Sequence, residues 1–395
     1  MKSKKRQTAL VFTGDIGFDK YMDGQWNDPE LLSKGVLSFL HSGDHVIANV
    51  EGPLAGAVNR DGLTGVQQLL HTMNPAAVGV LKSMHADIWN LCNNHIMDAG
   101  EEGLAKTLEE ARLAGALTIG AGMNLEDASR PLILDEAGGI GIFSVGYQRG
   151  CKPAGPEKGG CLIWSELNRI RDNIQKIKET CRWCVIVAHA GEEFTSLPSP
   201  YTRRRYLEFL DMGADIIVAH HPHVPMNYEL VGDKAVFYSL GNFIFDTDYQ
   251  RAQYHTEEGL LLKLCFTEES YSFEPFGLRI ARGPEHVEEG PVPAIFQDVP
   301  DEEYRLLSPL AAKMFIAATK RQQIYLNPKE FKGASEEKWA EHFANPRRSG
   351  RVPGEALDFF LICPLAARAE DNEWQKSRLE GVKKYILDQM EDLPE

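Results

Sequence analysis

The sequence predicts an α/β fold with much parallel sheet and a helical extension at its carboxyl end. Three observations point there. From residue 8 to about 247, short β-type runs alternate with stretches of helical periodicity, the pattern of strands joined by crossover helices. The polar residues that stand out fall just after the predicted strands, where open α/β sheets build their sites. From about residue 300 the β-type runs cease, and apolar residues recur at helical spacing.

The elements follow in order. Residues 8–13 form an apolar strand ending in Gly14-Asp15, 28–41 has helical spacing, and 45–50 is the second strand. Residues 74–84 read as a helix, 86–92 as a strand, and 101–114 as a helix stopped by Gly115, because glycine enters left-handed backbone without steric cost. Residues 117–120 and 141–145 are strands, 165–180 a helix, 183–188 a strand, 202–212 a helix and 215–219 a strand. Two further runs, 228–231 and 235–238, flank Gly232-Asp233, a hairpin signal. Residues 258–267 and 271–281 are two more strands. In the extension, Leu306, Leu307, Leu310, Met314, Phe315 and Ala318 share a helical face, Ser335 caps a helix through Phe343, and 374–390 is a last helix. The stretch 345–354, basic and rich in turn formers, is the expected linker. These readings divide the chain into an α/β domain, 1–285, and a mostly helical extension, 286–395. All the polar motifs precede residue 250, so the extension is expected to be separable from them.

A chain of 395 residues with 43% hydrophobic and 25% charged residues can bury a large core, as one large domain with an appendage or as two domains. The formal net charge of −15 argues against a broad basic face, so no nucleic-acid partner is expected. The basic start Met1-Lys-Ser-Lys-Lys-Arg6 resembles the opening of a signal peptide, but the apolar run after it is too short and lacks a cleavage site. No window approaches a membrane span. The expectation is a cytoplasmic protein without stable membrane insertion. Seven scattered cysteines, an odd number, suit reduced thiols, with Cys181 and Cys184 expected simply to be packed.

The chemistry-bearing residues are Asp15 after the first strand, Asn49 and Glu51 after the second, and Asn93, Asn94, His95 and Asp98 after the third. His189, Glu192 and Glu193 follow a later strand, then His220, His221 and His223, then Asn242 and Asp246. Each alone has an ordinary structural reading: a strand-end Asp is often a turn former, and a lone His is more often a satisfied core residue than a ligand. Together, hard carboxylate and amide oxygens mixed with imidazole nitrogens suit Mn, Fe or Zn. The absence of cysteine from the set argues against a structural zinc finger.

In order, the motifs Gly14-Asp15, Asn49-Val-Glu-Gly-Pro53, Asn93-Asn-His-Ile-Met-Asp98, His189-Ala-Gly-Glu-Glu193, His220-His-Pro-His-Val224 and Tyr238-Ser-Leu-Gly-Asn-Phe-Ile-Phe-Asp246 resemble the capsule-synthesis CapA family of poly-γ-glutamate synthesis. The resemblance covers roughly residues 8–250. That family is similar to the calcineurin-like metallophosphoesterases. The resemblance therefore implies a four-layer α/β/β/α sandwich, a pair of divalent metal ions (Mn, Fe or Zn), and a hydrolase of phosphoesterase type acting on an anionic small molecule or polymer. It implies Asp15, Glu51, Asn94, His189, His221 and His223 as metal ligands, with Glu51 where the superfamily has a bridging aspartate, and His95 as the catalytic histidine. Asp98 either orients His95 or caps the following helix. One of Glu192 and Glu193 is expected to serve the site, and at least two of Arg203, Arg204 and Arg205 are expected on solvated surface. The chain departs from the superfamily at Asp15-Ile16-Gly17, which lacks the histidine of Asp-x-His, and at Ala190, where an aromatic is usual. The alternative function is a non-catalytic capsule-assembly partner or an anionic-polymer-binding module with the same metal site.

Overall fold

The computed structural model describes residues 7–56, 65–148, 150–344 and 380–390. Among these residues, sixteen strands, numbered along the chain, form two main sheets and one small pair. The first sheet runs β16 (His286–Glu289), β15 (Tyr271–Ala281), β14 (Glu258–Phe266), β1 (Thr8–Ile16), β2 (His45–Val50), β3 (Ile88–Asn90) and β4 (Leu117–Ile119), with β13 (Asn242–Ile244) pairing the end of β1. The second runs β11 (Tyr228–Val231), β12 (Lys234–Phe237), β10 (Ile216–His220), β9 (Trp183–His189), β7 (Ile140–Gly146) and β6 (Leu132–Leu134). The small pair is β5 (Ala121–Gly122) with β8 (Gly160–Cys161). Strands β1 to β4 run parallel, as do β7, β9, β10 and β12. The fold is thus mixed α/β, as the alternation of strand and helix patterns predicts.

Near-continuous apolar runs mark strands covered on both faces. In β1, Leu10 and Phe12 enter a core cluster with Ile47, Leu262 and Leu264 of the first sheet and Val185, Val187, Ile216 and Val218 of the second. Val11, between them in sequence, belongs instead to the cluster that contains Val36, Phe39 and Leu81 from helical segments. The same cluster takes Ile186 and Ala188 of β9 together with Ile170, Ile174, Tyr206 and Phe209 of helices Leu167–Thr180 and Pro200–Asp211. Period-two alternation thus sends one set of side chains between the sheets and the other towards helices. Cys181 and Cys184 are buried in this second cluster.

Local chemistry accounts for where the elements differ from expectation. The helix expected over 28–41 starts at Lys34, because the Ser33 hydroxyl accepts from Val36 N and caps Lys34–Leu40. The helix expected over 74–84 is a 3-10 turn, Pro75–Ala77, followed by Val78–Ser83. Strands β6, β13 and β16 escape sequence reading because three or four residues cannot display an alternation. Gly115, with φ 78°, stops helix Gly100–Ala114, and Gly232, with φ 65°, turns the hairpin β11–β12.

After β16 comes the long helix Asp301–Leu326, then Pro328–Phe331, Glu336–Ala344 and Glu380–Asp388. Leu307, Leu310 and Met314 pack with Val382, Tyr385 and Ile386, while Leu306, expected on the same face, is 38% exposed. The expected linker 345–354 and the first part of the expected helix 374–390 lie outside the described residues. Among the described residues, no helix is long and apolar enough to cross a membrane.

Gly14 is where β1 receives β13. A Cβ there would run into the Gly241 carbonyl oxygen, well inside van der Waals contact with backbone that cannot turn aside. Gly14→Ala is therefore expected to destabilise the protein by roughly 1–3 kcal/mol. Denaturant unfolding measures this, and an unchanged midpoint would contradict the close approach.

Candidate metal centre

The site lies where strand ends of the two sheets meet. His220, the last residue of β10, donates through Nε2 to Thr13 O at 2.8 Å and ties the second sheet to β1. This engagement separates His220 from His221 and His223, which face the centre. Both of the latter have left-handed backbone, φ 99° and 59°, a conformation uncommon outside glycine and concentrated at functional sites.

Three parallel strands deliver the first carboxylate. Asn90 Nδ2 donates to Asn49 Oδ1 at 2.7 Å, and Asn49 Nδ2 donates to Asp15 Oδ1 at 2.7 Å. This ladder of amides from β3 through β2 to β1 engages one oxygen of Asp15 and leaves Oδ2 buried without a hydrogen-bond partner among the described residues. Glu51, just past β2, is fully buried, and neither of its oxygens has a donor among them. Glu51 Oε1 lies 3.6 Å from His189 Nε2 and 3.6 Å from His223 Nε2. Asn94 Oδ1 sits 2.8 Å from the same His189 Nε2. His223 Nδ1 faces Asn242 Oδ1 at 2.9 Å and Asp15 Oδ2 at 3.2 Å, the second contact without hydrogen-bond alignment.

Asp15, Glu51 and His189 bring ligand atoms within 4.8 Å of one another, as do Glu51, His221 and His223. Glu51 is common to both groups. Among the described residues, His189 Nδ1 and His221 Nδ1 are also buried without partners. Natural interiors rarely leave so many polar atoms unsatisfied, and an ion is one of the standard explanations. The donor set of carboxylates and imidazoles fits a divalent transition metal, so these buried groups can hold one.

The electrostatics follow from burial. Desolvation, and then the adjacent Asp15 carboxylate, push Glu51 well above the usual carboxylate range. Burial, and then the neighbouring histidines, hold His189 and His221 far below the usual imidazole range, so both are neutral and offer lone pairs. Burial acts the same way on His223, but Glu51 and Asp15 outweigh it and raise its affinity for a proton.

At the rim, His95 Nδ1 donates to Asp98 Oδ2 at 2.7 Å, and His95 Nε2 lies 4.0 Å from Glu51 Oε1. Asp98 does not cap helix Gly100–Ala114, whose N-cap position is Ala99 with no side-chain bond. Its Oδ2 also accepts from His71 N at 2.8 Å. His71 is a residue that strand-end reasoning passes over. Its ring packs edge-on to His95 with centroids 4.3 Å apart, its Nδ1 donates to Asp19 Oδ2 at 2.7 Å, and burial with the neighbouring His95 pushes it down to about 4. Nothing in its local sequence, one histidine in a loop, signals that position.

Other candidates sort by their partners. Glu192 accepts from Ser199 N, Ser199 Oγ and Thr202 Oγ1, and so secures the start of helix Pro200–Asp211. Glu193 turns towards the centre instead, with Oε1 3.9 Å from His221 Nε2. Arg203 and Arg205 are largely buried rather than solvated: Arg203 pairs with Glu229 and Asp301, and Arg205 with Glu208. Asp246 lies away from the ligand groups and receives Arg251 and Arg282. The place of the missing superfamily histidine is taken. A Cβ on Gly17 would meet the Phe245 ring at 2.5 Å, and that ring stacks on His223 with centroids 4.8 Å apart.

Comparison with known proteins places the chain in a family. Residues 9–247 match the family model described as bacterial capsule synthesis protein PGA_cap. The PGA biosynthesis protein CapA of Bacillus subtilis (strain 168) is 29% identical over 261 residues, covering 63% of this chain and 68% of that protein. The capsule biosynthesis protein CapA of Bacillus anthracis is 26% identical over 269 residues, covering 65% of each. The chain thus spans about two thirds of the length of these relatives. A solved structure, described as a hypothetical protein from Thermus thermophilus, overlays with a TM-score of 0.41 at 14% identity, covering 72% of this chain and all of that one.

Because the two abutting carboxylates are costly without a cation, Glu51→Gln is expected to melt no lower than wild type in chelator. Wild type should gain about 2.7 kcal/mol of stability at a free manganese concentration a hundredfold above its Kd, a gain the variant loses. Melting curves with and without Mn²⁺ check this. An ion-independent wild type, or a variant that keeps the full gain, would count against the centre.

Proposed function

The chain belongs to the PGA_cap family of bacterial capsule synthesis proteins, and from that membership we propose that it is a metal-dependent hydrolase of phosphoesterase type serving capsule or poly-γ-glutamate synthesis. The family is related to the metallophosphoesterase-like superfamily. The single observation that carries the proposal is Glu51, a buried carboxylate without donors, equidistant at 3.6 Å from His189 Nε2 and His223 Nε2. That central position suits a residue shared by two ions, with Asp15, Asn94, His189, His221 and His223 around it. We take the ions to be two, of Mn, Fe or Zn. On this reading the two sheets and their flanking helices are the superfamily's four-layer sandwich, residues 286–395 are an extension laid against it, and the substrate is an anionic small molecule or polymer.

When bound, divalent ions supply an activated water and neutralise charge on a phosphoryl group. The chain's own residues supply the rest. Asp98 accepts from His95 Nδ1 and so aims Nε2 at the centre. His95 Nε2 then carries the proton that the leaving oxygen takes up. His71, edge-on to His95, limits the ring's freedom to turn. The amide ladder from Asn90 to Asp15 keeps one carboxylate oxygen aimed inward. Burial of Asp15, Glu51, His189, His221 and His223 keeps bulk water from them and strengthens the interactions among them.

His95→Ala is expected to retain metal near the wild-type level yet lower turnover of a phosphoester found by panel screening by roughly 10²–10⁴-fold. KM should change less, because the lost interaction belongs to the transition state. His189→Ala should lose metal and activity together. Metal analysis beside steady-state kinetics separates the two. Full activity in His95→Ala would remove it from the mechanism. A fully loaded wild type that turns over no phosphoester would favour the non-catalytic reading, an assembly partner or anionic-polymer-binding module.

A further inference from the structure

The long helix Asp301–Leu326 lies outside residues 9–247, the part of the chain that the family model matches. It nevertheless reaches the rim of the metal centre. Gln322 Nε2 donates to Glu193 Oε2 at 2.8 Å, and Tyr249 OH donates to the same oxygen at 3.1 Å. With Oε2 held from two sides, Oε1 is the oxygen turned to His221 Nε2. Around this contact, Phe194, Val224 and Tyr249 pack in one cluster with Ala318 and Leu326 of the helix. Farther along, Tyr304 OH donates to Pro198 O at 2.8 Å, and Arg203 pairs with Asp301. The helix is thus docked along the loop that follows β9, the loop that carries Glu193.

The two nitrogens of His221 have different surroundings. Nδ1 is buried without a partner, whereas Nε2 faces the Glu193 carboxylate at 3.9 Å. That separation is longer than a hydrogen bond, so Glu193 acts through its charge. A negative oxygen beside Nε2 favours the tautomer with the proton on Nε2, which leaves the Nδ1 lone pair free for a cation. A carboxylate beside the nitrogen that keeps its proton is how proteins commonly orient a metal-bound imidazole and raise its basicity.

We propose that Glu193 is the positioning residue for His221, and that the helix Asp301–Leu326 completes the metal centre by fixing Glu193 through Gln322. The proposal rests on the metal-centre reading above and adds a contribution from the chain beyond the family-matched region. On this proposal the extension is not fully separable from the site: a chain cut before residue 300 would keep the ligand residues and lose the brace on one of them.

The test uses the purified full chain, stripped with chelator and titrated with Co²⁺, whose visible absorption reports ligand geometry directly. Glu193→Gln and Gln322→Leu are expected to keep the wild-type circular dichroism, bind Co²⁺ roughly 10–100-fold more weakly, and shift the absorption band. Tyr249→Phe, which removes the other donor to the same oxygen, should act in the same direction. Leu306→Ala, at an exposed position on the same helix, should leave affinity and band unchanged. A wild type that binds no Co²⁺ would sink the metal-centre reading itself. Wild-type binding with unaltered Glu193→Gln overturns the role of Glu193. A weakened Glu193→Gln beside unaltered Gln322→Leu overturns the part assigned to the helix, whatever Tyr249→Phe does. If Gln322→Leu fails to fold, Gln322→Ala decides the part assigned to the helix, and Glu193→Gln decides the role of Glu193.

Discussion

Two carboxylates, Asp15 and Glu51, are buried side by side, and the surrounding residues are arranged around that fact. Taking an ionised carboxylate out of water costs several kcal/mol even after relaxation, and a like charge alongside adds to the cost. The strand ends supply few donors. The amide ladder satisfies one oxygen of Asp15, and none of the described groups donates to either oxygen of Glu51. What gathers there instead is imidazole: His189, His221 and His223, two of them held neutral by burial. Such an arrangement is unfavourable for the bare chain and favourable for a cation.

The rest of the architecture holds that arrangement in place. Neither sheet alone carries the full set, since Asp15, Glu51 and Asn94 come from the first and the histidines from the second. Their meeting depends on the apolar contact between the sheets and, at the site end, on His220 bonding Thr13. Left-handed backbone at His221 and His223 then points both rings inward. Adjacent acidic residues divide the work: Glu192 locks the start of a helix and Glu193 faces the centre. Asp246 serves as an anchor for Arg251 and Arg282, which joins the end of β13 to the helix Asp248–Arg251 and to the β15–β16 turn.

Much of this was legible in the sequence, for a physical reason. A parallel strand is short and apolar and ends abruptly, so a polar residue at its end is conspicuous. Asp15, Glu51, Asn94, His189, His221 and His223 all stand in that position, and the structure gathers their side chains at one place. The neighbours that support them could not be read in the same way. Asn242 was noted only as a strand-end residue, and its bond to His223 depends on β13 crossing to pair with β1. His71, Tyr249 and Gln322 sit in a loop and two helices whose periodicity describes packing and says nothing of which strand end they will meet. The choice between Glu192 and Glu193 was undecidable from two identical neighbours, because it turns on Ser199 and Thr202 being folded back against one of them. Short strands such as β6 and β13 were missed because their pairing partners, rather than their own residues, make them strands.

The ring of Phe245 fills the space that any side chain at position 17 would need. The two positions therefore depend on each other. Placing a histidine at position 17 while Phe245 remains forces an overlap with a buried ring. Shrinking Phe245 first opens a void beside His223, at the cost of a large-to-small change in a core. A side chain at position 17 therefore calls for both changes together. Glycine there is in this sense held by packing rather than by the chemistry of the site.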